Sequence, residues 1–356
     1  MKYCFGLSII LAMCALVLSP PATAEEFYGP LRNRDMGPVG FARLHMLPDH
    51  AIAPSDGRWG FELHLSHSNT FAMDAETQEY LRQRGSRQSL TQQDVDNIFA
   101  LSGDTYLFDA ALTLAQFTVH YGLSDNWSLY GSLPYFRYGG GGLDSTIENF
   151  HESFGFDTFG RNYLPRNQVN GVVALGGNEL VLLDAGSQSG IGDPIVGLRY
   201  HRRLDSRNAI SIEVAHKEVI QDDKFFRTTG SDDTGVQVSW HHFYDRSAMY
   251  LSASIVRIGS AAPFPDNTRH VLPKINAAWE YRMTERSNFV FQVNAQDSLF
   301  KNGTDPEISS HVYQASLGVR QRYGKLVWSY ALTENLVNFN NTADLGFHIG
   351  LAWSPE

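Results

Sequence analysis

Histidines are the residues of this chain best suited to bind a metal ion or to move protons, and the sequence contains 13 of them. His241 and His242 are adjacent, but neighbouring side chains of an extended strand point to opposite faces and do not bind one ion together. No other pair lies at convincing ligand spacing beside carboxylates. The sequence therefore predicts no metal site. The histidines considered are His151, His201, His216, His241, His242, His270 and His311.

Residues 139–142 are four consecutive glycines, which invites comparison with a phosphate-binding loop. The Lys-Ser/Thr pair that such a loop needs does not follow them, so a flexible exit from a strand is the favoured interpretation. Both cysteines, Cys4 and Cys14, lie in the apolar N-terminal region. The rest of the chain therefore has no thiol for catalysis or metal binding, and no cofactor is predicted.

Charged side chains form another group with chemical potential, because they recur at every second position among apolar residues. In extended strands such residues all point to one side, away from the apolar set. Two interpretations stay open: a pore with a basic lining, or an interior network of ion pairs that fills the enclosed space, with the second slightly favoured. The predicted lining residues are Glu62, Arg199, Arg203, Glu213, Lys217, Lys274, Glu280, Arg282, Arg320 and Arg322.

The elements that would position these residues show a clear period of two. Near the C-terminus, Leu345, Phe347 and Ile349 alternate with Gly346 and His348, and about a dozen segments repeat this pattern. Connections between them alternate between tight turns and long loops, as in a transmembrane barrel rather than a secreted sandwich. The tight connections include residues 123–126, 205–207, 245–247, 285–287 and 323–324, and the long ones include residues 71–105, 139–193, 220–234 and 298–309.

The N-terminus predicts export. Lys2 precedes an apolar run at residues 7–18, and Ala22 and Ala24 are the small residues that a signal peptidase reads. Residues 1–24 are therefore predicted to be a signal peptide, and the predicted location is the bacterial outer membrane. The formal net charge of −10 argues against nucleic acid as a partner, because phosphates require a basic surface.

Strand pairs are expected near residues 325–353, 287–323, 248–283, 208–244, 127–204 and 58–121. Residues 179–183 could pass for another strand, but an extra crossing would place later long loops on the wrong side, so they are assigned to the loop as part of a non-spanning hairpin. The fold class is thus all-β: a transmembrane antiparallel β-barrel of about twelve strands over residues 58–356.

Residues 25–57 precede the barrel, and parity excludes residues 39–46 as a single spanning strand. This segment is rich in proline and arginine, including Arg32, Arg34 and Arg43. We expect it either to enter the lumen as a plug or to lie across the periplasmic mouth. Its arginines would then meet three inward carboxylates, Glu62, Glu213 and Glu280.

A short helix is expected inside the long loop 139–193. Its apolar residues are spaced as one helix face, and Ser145 with Glu148 fits a capping box at its start. The helix either forms a lid over the pore mouth or packs on its own loop. The candidate lid residues are Leu143, Ile147, Phe150 and Phe154.

Several motifs of the sequence resemble those of known outer-membrane families. The glycine run followed by Asp144, Glu148, His151 and Gly160-Arg161, together with Ser68-Asn69, resembles an uncharacterised family of Gram-negative outer-membrane barrels, domain of unknown function 3187. More distantly, residues 122–127 and 189–194 are similar to the barrels of meta-cleavage pathways for phenol degradation. The resemblance implies fold and location, and it transfers no catalytic residue.

The favoured function is a narrow or gated pore, or a transport or binding barrel, for an unknown small solute. Two alternatives remain: an enzyme that acts on outer-membrane lipid, whose Ser, His and Asn residue types are present without a recognisable motif, and a purely structural barrel. We expect no catalytic role. Expected partners are outer-membrane lipid, lipopolysaccharide and, during biogenesis, the barrel-assembly machinery.

Overall fold

The computed structural model describes residues 27–37, 40–50, 56–101, 103–155, 157–220, 227–259, 264–301, 305–337 and 340–353. The predicted signal peptide lies outside these residues. The strands in these ranges are β1 (Trp59–Met73), β2 (Thr105–Ser124), β3 (Trp127–Gly139), β4 (Asn170–Leu175), β5 (Asn178–Leu182), β6 (Gln188–Ile191), β7 (Ile195–Arg203), β8 (Asn208–Lys217), β9 (Asp233–Phe243), β10 (Ser247–Ile258), β11 (Val271–Arg282), β12 (Ser287–Gln296), β13 (Val312–Tyr323), β14 (Leu326–Asn335) and β15 (Leu345–Trp353).

Four α-helices of the described ranges lie in the long loops: α1 (Ala75–Arg84), α2 (Gln92–Phe99), α3 (Asp144–Phe154) and α4 (Pro306–Ser309). A single 3₁₀ turn (Arg161–Tyr163) follows α3. Among the described residues, no helix has the length and apolar character that crossing a membrane requires.

The sheet closes on itself, because β1 pairs with β2 on one side and with β15 on the other. The β1–β15 ladder runs from Phe61 opposite Trp353 to Asn69 opposite Leu345. Within the described chain, β4 and β5 form a hairpin beyond the wall, on the first residues of β2, and β6 continues the line of β7 along β3. Twelve crossings remain, so the predicted twelve-strand antiparallel barrel is confirmed, as is the assignment of residues 179–183 to a loop hairpin.

The two faces of the wall differ as the period of two predicts. Along β9, Val236, Val238 and Trp240 are exposed on the outside, and Gln237 and Ser239 are buried inside. Aromatic pairs mark one edge of the outer surface, such as Trp59 with Tyr121 and Trp127 with Tyr200, whose ring centroids lie 4.7 and 5.1 Å apart. Such a girdle is typical of the boundary between hydrocarbon and headgroups.

We call the end with the tight turns the turn end, and the opposite end the loop end. The turn end contains the connections β2–β3, β7–β8, β9–β10, β11–β12 and β13–β14, together with the start of β1 and the end of β15. The loop end contains the long connections, in which the helices lie. Functional groups contributed by loops therefore gather at one end.

The outward position of Ile349 on β15 gives a test of the wall. Its side chain is 44 % exposed in the isolated chain, near the middle of the strand, so lipid must cover it. We expect Ile349→Arg to lower the free energy of unfolding by about 2–4 kcal/mol in lipid vesicles, measured by denaturant titration.

The matched control is Val271→Arg, which places the same charge on an outward side chain at the loop-end limit of β11. It should cost only about 0–1 kcal/mol, because an arginine there reaches the headgroups. Equal costs at the two depths would contradict the register described above.

Candidate functional site

The lumen of the barrel contains the N-terminal segment, residues 27–37 and 40–50, which we call the lumen hairpin. Phe27 lies at the turn end, where it packs against Phe243 with 5.9 Å between the ring centroids and against Ala248. The described part of the segment contains no helix or strand. Its backbone polar groups must therefore find partners among side chains of the wall.

The first limb rises along the wall through side-chain hydrogen bonds. The Leu31 N–H donates to Gln292 Oε1 at 2.9 Å, and Gln292 Nε2 donates back to the Leu31 carbonyl at 3.0 Å. Higher up, Asn33 Nδ2 donates to Thr333 Oγ1 at 3.2 Å. One amide side chain thus satisfies both backbone groups of one residue, as a neighbouring strand would.

The tip of the hairpin reaches the loop end. Phe41 packs edge-on against Phe136 and Tyr138, which lie near the end of β3, at centroid distances of 4.7 and 5.0 Å. Gly40 has a φ of +123°, and a Cβ there would lie 2.9 Å from the Leu299 side chain. The chain reverses at this point because glycine permits both the backbone angle and the close approach.

The second limb returns to the turn end. The Leu44 N–H donates to Asp233 Oδ2 at 2.8 Å, and Gln237 Nε2 donates to the Leu47 carbonyl at 3.0 Å. His50 then stacks on Phe243, with 5.7 Å between the ring centroids. Because Phe27 contacts the same phenylalanine, the hairpin spans the lumen and both of its limbs meet at the turn end.

A chain of charges fixes the base of the hairpin. Arg32 lies 2.9 Å from Glu62 and also pairs with Asp49, and Asp49 in turn lies 2.6 Å from Arg199. Arg199 lies 2.5 Å from Glu213, which accepts a hydrogen bond from Tyr130. Removal of one member of a buried ion pair leaves its partner uncompensated, so these contacts make the position of the hairpin specific.

Glu280 and Arg320 bind the backbone of the first limb from two sides. Glu280 is fully buried and accepts the N–H groups of Tyr28 and Gly29 at 2.9 and 3.0 Å. Arg320 Nη1 donates to the carbonyls of Tyr28, Gly29 and Pro30. The two wall side chains thereby supply both the acceptor and the donor that this stretch of backbone lacks.

Lys217 and Lys274 lie nearer the tip of the hairpin, and their charged neighbours differ. Lys217 is buried between Asp233 at 3.1 Å and Asp193 at 3.6 Å. Lys274 is partly buried, and the charged groups that act on it are Arg43, Asp35 and Arg34. The region around the tip thus combines four cations with three carboxylates, and Asp233 and Asp193 both lie beside Lys217.

Three predicted lining residues lie at the turn end rather than deep in the lumen. Arg203 is exposed and donates to the Asp205 and Ser206 carbonyls of its own turn. Arg282 donates to the Asp245 carbonyl at 3.3 Å, and Arg322 lies 5.6 Å from the centroid of the Tyr28 ring. All three belong to the rim of the opening.

Of the three arginines expected to meet inward carboxylates, Arg32 contacts Glu62 as anticipated. Arg34 instead donates to Gln116 and to carbonyls of the hairpin, and Arg43 lies 3.6 Å from Asp35. Glu213 is occupied by Arg199 and Tyr130, and Glu280 lies at the base of the hairpin, far from its tip. The sequence did not show that the segment turns, which carries Arg34 and Arg43 away from these carboxylates.

A second cluster lies at the mouth on the loop end, and we call it the mouth cluster: Asn69, Asp144, Arg161 and Asp344. Arg161 is buried, pairs with Asp144 at 2.9 Å and Asp344 at 2.8 Å, and donates to Asn69 at 2.9 Å. Its guanidinium also lies 4.6 Å from the centroid of the Phe71 ring. One arginine thus joins β1, the β3–β7 connection and the β14–β15 loop.

Helix α3 contacts the mouth through only one residue of the predicted apolar stripe, Ile147. Asp144, Ile147 and Glu148 are its buried residues, whereas Phe150 and Phe154 are 51 % and 65 % exposed. Leu143 is the N-cap residue and makes no side-chain cap bond, so the predicted capping box is wrong. Glu148 is used elsewhere, because it pairs with Arg87 at 2.8 Å and Arg166 at 2.6 Å.

Two glycines of the run, Gly140 and Gly141, are closely packed, which corrects their interpretation as a flexible exit, whereas Gly142 has open space around it. A Cβ on Gly140 would lie 1.7 Å from the Asn167 carbonyl oxygen. Gly141 has a φ of +68°, and a Cβ there would lie 2.5 Å from that of Ala111. Only glycine allows the backbone to approach this closely, and the two positions bring Asp144 under Arg161.

Most of the chain, including the mouth cluster residues Asp144, Arg161 and Asp344, matches a known protein family. Residues 76–354 match the profile of a family described as a protein of unknown function, DUF3187. The chain belongs to this family. The match includes the glycine run and three members of the mouth cluster, Asp144, Arg161 and Asp344, and it begins after the lumen hairpin. No curated protein matches the chain.

One solved structure shares the architecture at a TM-score above 0.5. An outer membrane channel of the COG4313 type from Pseudomonas putida F1 superposes with a TM-score of 0.54 at 12 % identity, covering 87 % of this chain and 99 % of that one. The CymD monoaromatic hydrocarbon channel gives a TM-score of 0.40 at 11 % identity over 90 % and 98 %. The P. putida toluene transporter TodX gives 0.40 at 8 % identity over 90 % and 99 %. The protein is a β-barrel of the bacterial outer membrane.

The ion pairs of Arg161 give a test of what stabilises the loops at the mouth. Arg161→Met should leave Asp144 and Asp344 without their shared cation and lower the free energy of unfolding by about 3–5 kcal/mol, measured in vesicles by denaturant titration. The matched control is Arg82→Met in α1, whose pair with Glu79 is exposed, and it should leave the stability unchanged. A mouth variant as stable as this control would show that the cluster does not hold the loops.

The buried carboxyl group of Asp344 should make the stability of the protein depend on pH. Burial raises the pKa of Asp344 to about 7, although the Arg161 guanidinium acts in the opposite direction. A carboxyl group whose pKa is raised by folding stabilises the protein fully below its unfolded pKa, and this contribution is lost as the pH rises through 7. We expect stability to fall between about pH 4 and 7, as measured by denaturant titration, and Asp344→Asn to remove this part of the fall. An identical pH profile in the variant would contradict the assignment.

Proposed function

We propose that this protein is a gated outer-membrane channel for small solutes, closed by the lumen hairpin. The observation that carries the proposal is the path of residues 27–37 and 40–50 from the turn end to the loop end and back, inside the wall. In barrels of this kind the tight turns face the periplasm. Both limbs of the hairpin would then leave the barrel on the periplasmic side, so withdrawal requires no opening of the wall.

The hydrogen bonds between the hairpin and the wall are contacts that water can replace. Glu280, Gln292 and Asp233 accept backbone N–H groups, and Gln237 and Arg320 donate to backbone carbonyls. Neither limb forms a β-ladder with the wall in the described residues. Once the hairpin leaves, these polar side chains would line a hydrated passage, which the barrel can tolerate because its own backbone is fully paired.

The comparisons give this proposal separate support. The solved structure that shares the fold at a TM-score of 0.54 is itself described as an outer membrane channel. At 12 % identity the likeness concerns the fold, so the transport role of this chain rests on its own lumen.

A lipid-acting enzyme receives less support than a channel, because the serine–imidazole contact of the described residues is badly placed for it. Ser66 Oγ lies 2.8 Å from His348 Nδ1, a contact through which an imidazole could activate a serine hydroxyl. However, both side chains are buried on the inner face, and the other ring nitrogen contacts the Thr333 hydroxyl at 3.0 Å rather than a carboxylate. A lipid substrate would lie on the opposite face of the wall.

Deletion of residues 27–50 tests the channel directly. In planar bilayers we expect the intact protein to show a small or intermittent conductance and the deletion variant to show a larger and steady one, because the lumen then fills with water. Heat-dependent gel migration would show that the variant still forms a barrel. A folded deletion variant that conducts no better than the intact protein would instead support a purely structural barrel.

A disulfide lock tests whether the hairpin must move. Asn33→Cys combined with Thr333→Cys joins two side chains that lie 3.2 Å apart, and the native cysteines, Cys4 and Cys14, both lie in the predicted signal peptide. Oxidation should abolish solute flux into proteoliposomes, and reduction should restore it. The Asn33→Cys single variant is the control, since it cannot form the bond. Flux that persists through the oxidised lock would contradict gating by the hairpin.

A further inference from the structure

The outer surface of β8 changes character near the loop end. Ile210, Ile212 and Val214 point outward in a row, and the same row continues with His216 and Glu218. On the neighbouring strand, Thr234 lies opposite His216, and Asp232 immediately precedes β9. A row that passes from aliphatic to ionisable side chains marks the level at which the hydrocarbon ends and the headgroup region begins.

His216, Glu218 and Asp232 come together at this level. Each offers one ligand atom, and these atoms all lie within 4.8 Å of one another. His216 Nε2 lies 3.1 Å from Glu218 Oε2, and Asp232 Oδ1 accepts the Val219 N–H at 2.9 Å. The backbone bond orients the aspartate, and the pairing of β8 with β9 sets its distance from the histidine.

We propose that His216, Glu218 and Asp232 form a binding site for a zinc-class divalent cation. One imidazole nitrogen and two carboxylate oxygens are a ligand set that zinc accepts in tetrahedral geometry, with the fourth position left to water. Calcium takes six to eight oxygen ligands, which three side chains including a histidine do not supply. The ligand chemistry therefore favours zinc over calcium.

Thr234 is the positioning residue of this site. Its hydroxyl lies 3.0 Å from His216 Nδ1, so it fixes the plane of the ring and directs Nε2 toward the two carboxylates. Metal-bound histidines usually have their second nitrogen held in this way. The remaining open position faces outward, because His216 and Glu218 are 39 % and 62 % exposed in their side chains.

The site is separate from the anchoring of the lumen hairpin. Lys217 and Asp233 alternate with the site residues along the same two strands, but their side chains point inward, where they form an ion pair and Asp233 binds Leu44. Metal binding on the outer face therefore does not depend on the channel proposal. Zinc binding can therefore be measured without any measurement of conductance.

The test is a zinc titration of the full mature protein, purified in detergent without an affinity tag and freed of metal. Calorimetry should show one site per chain, absent in His216→Ala. Thr234→Val should retain every ligand yet weaken zinc binding by about tenfold or more. With cobalt as the probe, the intact protein should give the intense visible absorption of a tetrahedral site, and Glu218→Gln should lose it.

The matched control is His242→Ala, which removes another outward histidine from β9, at the turn end, where it contacts Asn208. This variant should bind zinc as the intact protein does. The proposal is overturned if the intact protein binds no zinc, or if His242→Ala weakens binding as much as His216→Ala does. It is also overturned if Thr234→Val binds zinc with unchanged affinity and spectrum.

Discussion

The structure depends on one constraint: hydrocarbon offers no partner for a backbone N–H or carbonyl, so the wall must satisfy all of its own. Closure between β1 and β15 meets this requirement, since it leaves the described wall without a free edge. Closure also encloses a polar inner face, because side chains alternate along every strand. The chain fills that enclosed face with a segment of its own, and the buried wall charges Glu62, Arg199 and Glu280 find partners there that water would otherwise supply.

In the lumen hairpin, backbone hydrogen bonds are made with side chains of the wall and not with a neighbouring strand or helical turn. Its backbone has no ladder of its own, so single side chains take the place of a neighbouring strand, as Gln292 does for Leu31 and Arg320 does for three successive carbonyls. Such a segment owes its order to the wall that surrounds it. The mouth cluster is different, since it joins loops to one another through Arg161 and lies beside the β14–β15 loop, whose Thr342 contacts Asp35 at the hairpin tip.

The sequence predicts the wall well because its signals are local. Period-two alternation and tight turns depend on neighbouring residues, and parity then fixes the number of crossings and assigns residues 179–183 to a loop. The sites depend on register and on chain reversal, which no local pattern reveals. Arg34 and Arg43 miss Glu213 and Glu280 because the chain turns at Gly40, and Asp232 reaches His216 only through the pairing of β8 with β9. Gly140 illustrates the same limit. The glycine run suggested a flexible backbone, whereas glycine is required there because the Asn167 carbonyl leaves no room for a Cβ.

The position of both hairpin limbs at the turn end has a consequence for biogenesis. Among the described residues, neither limb passes through the ring of strands, so the ring can close either before or after its interior is filled. The ladder between β1 and β15, which joins the first and last strands, sets when the wall is complete. The residues that fill the interior precede β1 in the chain and are made first, yet they can be the last to reach their final place. Synthesis order therefore does not dictate the order in which the wall and its interior form.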